Sequence, residues 1–181
     1  MGRRGLHPYR RSLTQYFRYP SGISPVRLVT LSELIQQNTF ESTHVESMLN
    51  VVVTASWIQS QIGAALAPHG VTHAQYNVLR ILRGRHPSCY TCSDIGSRLL
   101  DRTPDVTRLL VRLEQRGLLH RQRADYDRRV VEVTLSEAGL ALLAELDEPV
   151  REAGRAIGKH LTDDEHRRLS ELLERLRTDQ E

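Results

Sequence analysis

The sequence predicts a mainly α protein carrying one small β-hairpin, and three observations predict it. Several stretches repeat apolar residues at helical spacing, each opened by a threonine or serine that can cap a helix. Two short helical stretches follow each other across a tight turn between Thr91 and Gly117. Directly after them, Leu118 to Gln122 and Val130 to Leu135 alternate like paired strands around an arginine-rich tip. In that order the three read as a winged helix-turn-helix with helices on either side that pair two copies of the chain.

Composition bounds what such a chain can do. Its 181 residues suffice for one domain with an appendage, large enough for a core without staples. Hydrophobic residues make up 39%, yet no apolar run approaches the length of a membrane span, so membrane crossing is excluded. No basic segment precedes an apolar signal core, which sets the expected location in the cytoplasm. The net charge of +3 is unevenly spread. Residues 1–30 hold six arginines and no acid, Arg98 to Arg129 hold nine arginines against five acids, and from Ser136 onward twelve acids face seven bases. Basic arms on an acidic body suit phosphate contact by selected elements.

Taken in order, residues 1–30 form a flexible basic N-terminal extension, punctuated by Gly2, Gly5, Pro8, Pro20, Gly22 and Pro25. Arg10, Arg11 and Arg18 lie among Tyr9, Tyr16, Phe17 and Tyr19 there, a composition fit for a nucleic-acid backbone and equally for a solvated tail. Residues 31–67 form an N-terminal helical dimerisation region. A short helix near Leu31 to Gln37 is weakly signalled. From Thr43 to Ala67 the positions Val45, Met48, Leu49, Val52, Val53, Trp57, Ile58, Ile62, Ala65 and Leu66 make an apolar face too broad for one small module. Pro68 and Gly70 end it.

Residues 71–135 form the helix-turn-helix and its wing. Thr72 with Gln75 is a capping box opening a helix that stops at Gly84. Thr91 caps the next, with Ile95 and Leu99 turned inward and Gly96 placed for a close helix crossing. Thr103 followed by Pro104 predicts the start of a third helix. Val106, Leu109, Leu110 and Leu113 form its inward stripe, Asp105, Arg108 and Arg112 lie opposite, and Gly117 ends it. A helix locked down on one side and offering arginines on the other suits a major groove. The hairpin tip, Arg123 to Arg129, places Arg128 for a minor groove with Asp127 as its brace.

Residues 136–181 supply C-terminal dimerisation helices. Ser136 caps the first, whose Leu140, Leu142, Leu143, Leu146, Val150 and Ile157 continue past Pro149, where a kink or break near Asp147 is expected. Thr162 and Glu165 box the second, which carries Leu169, Leu172, Leu173 and Leu176.

The stretches VTHAQYNVLRIL, DIGSRLLDRTPDVTRLLVRLEQRGLL and DRRVVEVTLSEAG, in that order, resemble the MarR family of bacterial transcriptional regulators. The resemblance is strong over Val71 to Leu146. It implies a homodimer on a pseudopalindromic double-stranded DNA operator, repression, and relief by a small aromatic or phenolic effector bound between the dimer region and the DNA-binding lobe. By motif position it puts recognition in Thr103 to Arg112 and the wing pair at Asp127 and Arg128. Two positions depart: Ala124-Asp125 stands where many members have Asp-Pro, and Val111 where a polar residue is common.

On this reading the DNA-binding residues are Arg98, Arg102, Arg121 and Arg123 on phosphates, Thr103, Asp105, Thr107, Arg108 and Arg112 at the major groove, and Asp127, Arg128 and Arg129 in the wing. Trp57, His73 and Tyr76 lie on helices bordering the expected effector cleft, where core packing is the competing role. His86, Cys89 and Cys92 have metal-like spacing without a fourth ligand; the alternative is a redox- or metal-responsive regulator. No cofactor is expected. Without a glycine-rich phosphate loop, nucleophile elbow or H-E-x-x-H, an enzyme is not expected either. A winged helix used for protein contact is the rival class, disfavoured by arginines on both the recognition helix and the wing.

Overall fold

The computed structural model describes residues 29–100 and 105–178 and divides into two compact units, Met1–Asn50 and Val51–Glu181. The basic extension expected over residues 1–30 lies outside the described residues except for Val29 and Thr30. In the first unit, Thr30 caps α1 (Leu31–Ile35) by a reciprocal box with Glu33, and Gln36 ends it with a positive φ of 56°. The long helix α2 (Thr43–Leu66) opens in this unit, as its apolar spacing predicts.

The second unit contains the rest of the chain's architecture. After α2, a short turn at Ala67–His69 closes on Gly70, whose φ of 65° favours glycine, and leads to α3 (His73–Arg83). Thr72 and Gln75 form the expected capping box at its start. A two-residue strand β1 (Tyr90–Thr91) feeds α4 (Cys92–Arg98), then come α5 (Val106–Gln115), β2 (Leu119–Arg123), β3 (Val131–Leu135), α6 (Glu137–Gly158) and α7 (Asp163–Leu176). The sheet runs β1-β3-β2, all antiparallel, with Tyr90 opposite Val133 and Leu119 opposite Leu135. Sequence alone placed Thr91 as the cap of α4, which it is, but gave no third strand. Two residues are too few for an alternating pattern to register.

One core holds these elements together. Leu66, Val78, Leu79, Leu82, Ile95, Leu110, Leu113, Leu119, Val133, Leu143 and Leu146 are all fully buried in it. Each such side chain contributes about 1.5–3 kcal/mol relative to exposure, so the positions of α5 and the hairpin are set by their apolar sides. A Cβ added at Gly96 on α4 would lie 3.5 Å from Val106 of α5, an ordinary contact, so this crossing has room for a side-chain methyl and is not the close approach expected there.

Two helix expectations need correction. The start of α5 is Val106 with Asp105 as N-cap, its carboxylate accepting from the Arg108 N–H at 3.1 Å, whereas Thr103, outside the described residues with Arg102 and Pro104, was expected to cap. An ionised oxygen at the positive end of the helix satisfies that orphan donor better than a hydroxyl two residues earlier could. Pro149 does not break α6, which is continuous from Glu137 to Gly158. Proline removes one backbone bond there, but bonded turns on both sides and the buried Leu143 and Leu146 keep the helix intact.

The joint between α5, β2 and α6 explains the LSEAG stretch. Ser136 accepts from Gly139 N–H at 3.0 Å and donates to the Gly117 carbonyl at 2.6 Å. Gly139 sits so close that a Cβ there would run into the Leu118 carbonyl. Among the described residues, no helix is long and apolar enough to cross a membrane.

Candidate nucleic-acid interface

The recognition segment is built on α5, with Leu110 and Leu113 fully buried while Thr107, Arg108 and Arg112 are exposed. Burial of one face at 3.6-residue spacing aims the other outward, as the sequence pattern requires. Asp105 belongs to the cap and pairs with Arg108 at 3.3 Å, so it orders an arginine rather than meeting a base itself. Val111 is half-buried, which limits it to a small apolar contact. At the far end, Arg116 donates to the carbonyls of Gly70 at 2.8 Å and His69 at 3.3 Å, anchoring the recognition helix to the segment that follows α2.

Arg121 is not a free phosphate ligand. It holds Glu114 of α5 through two guanidinium nitrogens at 2.9 and 2.6 Å, and its backbone N–H adds a third bond at 3.2 Å. The guanidinium keeps the Glu114 carboxyl below the usual carboxylate range. This pair fixes the hairpin to the recognition helix, and its spacing of seven residues across a turn carries no sequence signal.

The wing tip is exposed at Arg123, Arg128 and Arg129. Ala124 N–H bonds the Val130 carbonyl at 3.0 Å and Val130 N–H bonds the Asp127 carbonyl at 2.9 Å, closing the loop. The Ala124 methyl, at the position where the family resemblance leads one to expect Asp-Pro, is buried. Asp127 was expected to brace the Arg128 guanidinium; its carboxylate instead accepts from Arg129 N–H at 2.9 Å. Short aspartates satisfy nearby backbone in turns more readily than a long neighbouring side chain, so Asp127 shapes the tip while Arg128 is exposed. Arg98, at the end of α4, is exposed and lies over the Tyr90 ring, 5.0 Å from its centroid.

Of the three residues assigned to an effector, His73 lines a cleft formed by described residues. This opening of about 300 Å³ is lined by Gln59, Thr72, His73, Ala74, Asn77, Leu99 and Leu100. Asn77 Oδ1 accepts from Leu100 N–H at 3.1 Å beside the cleft, a link sequence reasoning missed. Tyr76 is turned into the core with Leu79, its hydroxyl accepting from Arg80 at 3.1 Å, and Trp57 is half-buried away from the lining. On one helix, residues four apart share a face, which brings His73 and Asn77 to the cleft together, while burial in the core holds Tyr76.

Cys89 and Cys92 are free and half-buried thiols. Burial pushes the Cys92 thiol up, with Arg121 opposing less strongly, which works against a reactive thiolate. Among the described residues no group of three or more His, Cys, Asp or Glu is placed to hold a metal, so His86, Cys89 and Cys92 do not converge.

Comparison with known proteins agrees with this geometry. Residues 71–131 match the MarR family. The transcriptional regulator PecS of Dickeya dadantii is 31% identical over 157 residues, 83% of this chain and 94% of that protein. The homoprotocatechuate degradative operon repressor of Escherichia coli is 31% identical over 59% of this chain and 70% of its own length. A MarR transcription factor from Planctomyces limnophilus has a similar structure, with a TM-score of 0.60 and 38% identity over 75% of this chain and 98% of that one. With the helix-turn-helix, the wing and these relatives in agreement, the chain belongs to the MarR family of transcriptional regulators.

Proposed function

We propose that the chain acts in the cytoplasm as a homodimeric repressor that grips a pseudopalindromic operator with residues 71–135 of each copy. The observation that carries this is α5, fully buried at Leu110 and Leu113 and exposed at Thr107, Arg108 and Arg112, beside a wing whose Arg123, Arg128 and Arg129 are also exposed. Thr107, Arg108 and Arg112 read the major groove, Arg128 enters the minor groove, and Arg98, Arg123 and Arg129 contact phosphates. Arg102 keeps the phosphate contact expected from its charge, and Thr103 the place in the recognition segment that the family resemblance implies. Residues 31–67 and 136–181 supply the dimer contacts, supported by the exposed Val51, Val52, Leu161, Leu169, Leu172 and Leu176.

Repression is supported by a relative named as a repressor of a degradative operon. A small effector that occupies the cleft beside His73 and Asn77 relieves it. Selection of genomic fragments by the purified protein tests the proposal: enrichment of inverted repeats with half-sites about one helical turn apart is expected, and recovery of fragments without any shared motif would overturn it.

A further inference from the structure

Two arginines converge on one ring outside the recognition helix. Arg98 of α4 and Arg85, in the loop after α3, both lie over Tyr90 of β1, 5.0 and 5.1 Å from its centroid. The two cations are therefore no more than about 10 Å apart. Both arginines are exposed, and among the described residues neither guanidinium is in a hydrogen bond or an ion pair. Asp94, the acid whose charge faces both, is committed to Thr91, accepting from its N–H at 3.1 Å and its hydroxyl at 2.8 Å. Two like charges within about 10 Å of each other repel, so an anion that reaches both stabilises the arrangement. The aromatic face meanwhile restricts two side chains that would otherwise lose much rotamer entropy on binding.

The position of this cluster identifies the anion. In a helix-turn-helix the first helix crosses the nucleic-acid backbone while the second enters the groove. Arg98 is the last residue of that first helix, and Tyr90 is on the strand bonded to β3 of the wing. We propose that Arg85, Tyr90 and Arg98 form a phosphate clamp on duplex DNA, with Tyr90 as the platform that positions both guanidinium groups. The clamp rests on the DNA-binding reading above and adds to it two residues, Arg85 and Tyr90, that the recognition motif does not contain. It contributes affinity without sequence preference.

The test is the salt dependence of binding, read by fluorescence anisotropy of the full-length protein on a fluorescein-labelled mixed-sequence DNA duplex. Arg85→Ala and Arg98→Ala should each lower the slope of log affinity against log salt by about one. Arg85→Lys should keep the slope, and Tyr90→Phe, which preserves the ring, should bind like the wild type. Tyr90→Leu should weaken binding several-fold with the fold intact by circular dichroism. Wild-type slopes in both alanine variants, with the wild-type protein bound, would overturn the clamp and leave the DNA reading standing. Absence of salt-dependent binding by the wild type would overturn both.

Discussion

Arg83 and Asp147 face each other in a two-bond pair, 2.9 Å at each oxygen, that ties the end of α3 to the middle of α6. The pair joins the helix-turn-helix to the long C-terminal helix, 64 residues apart in sequence. Fork-to-fork geometry makes it directional, and partial exposure on both sides moderates its strength. Asp147→Asn should cost about 0.2–1 kcal/mol, read as a lower urea midpoint at fixed protein concentration.

Acid should remove the same contribution. Hydrogen bonding from Arg83 holds the Asp147 carboxyl below its ordinary value, and Arg121 does the same for Glu114. A depressed folded pKa gives stability that is fully present above the unfolded pKa, near 4, and is lost as pH falls through the folded value. The urea midpoint should therefore fall more steeply below about pH 4 in the wild type than in a double Glu114→Gln, Asp147→Asn variant. Parallel curves would refute the assignment.

Gly139→Ala tests the joint beneath the wing. The added methyl would meet the Leu118 carbonyl and the Leu135 side chain, one of them unyielding backbone. Destabilisation of about 1–3 kcal/mol is expected by chemical denaturation. An unchanged midpoint would mean that α6 can slide off the α5–β2 turn.

The helices and the hairpin were legible because their signals are local. Thr72, Thr91, Ser136 and Thr162 all cap as their spacing predicts, and Gly117 turns with a φ of 70°. The links between elements were not legible. Arg121 reads as one more basic residue of a wing until Glu114 is seen across the turn, and Asp147 reads as a solvated acid until Arg83 meets it. Tyr76 and His73 look equivalent on an amphipathic helix, and only the packing of the core tells which faces the cleft. Pairings that close long loops leave no period in the chain, so charge counts overstate how many arginines are free for DNA.

That distinction separates two arginines in the hairpin. Arg128 is exposed at the tip, and Arg128→Ala should weaken duplex binding by about 1–3 kcal/mol at matched salt with stability unchanged. Arg121→Ala should do the reverse in part: the Glu114 pair is lost, so the denaturation midpoint falls, while the salt slope of DNA binding stays near that of the wild type. A reduced slope in Arg121→Ala would show that the guanidinium leaves Glu114 for a phosphate.

The C-terminal helix α7 has no buried residue, yet Leu169, Leu172 and Leu176 are 44%, 45% and 57% exposed along one side of it. Their spacing of three and four residues aligns them into a stripe. A helix this acidic in its first turn gains capping energy but buries no side chain fully, and an isolated fourteen-residue helix is marginal in water. A second copy covering the stripe would supply the missing burial, at roughly 25 cal/mol for each Å² of apolar surface removed from water. Leu172→Glu should therefore shift the protein to monomer in sedimentation equilibrium, lower its thermal midpoint, and weaken operator binding by removing the second half-site. A dimer of unchanged affinity in that variant would place the contact elsewhere.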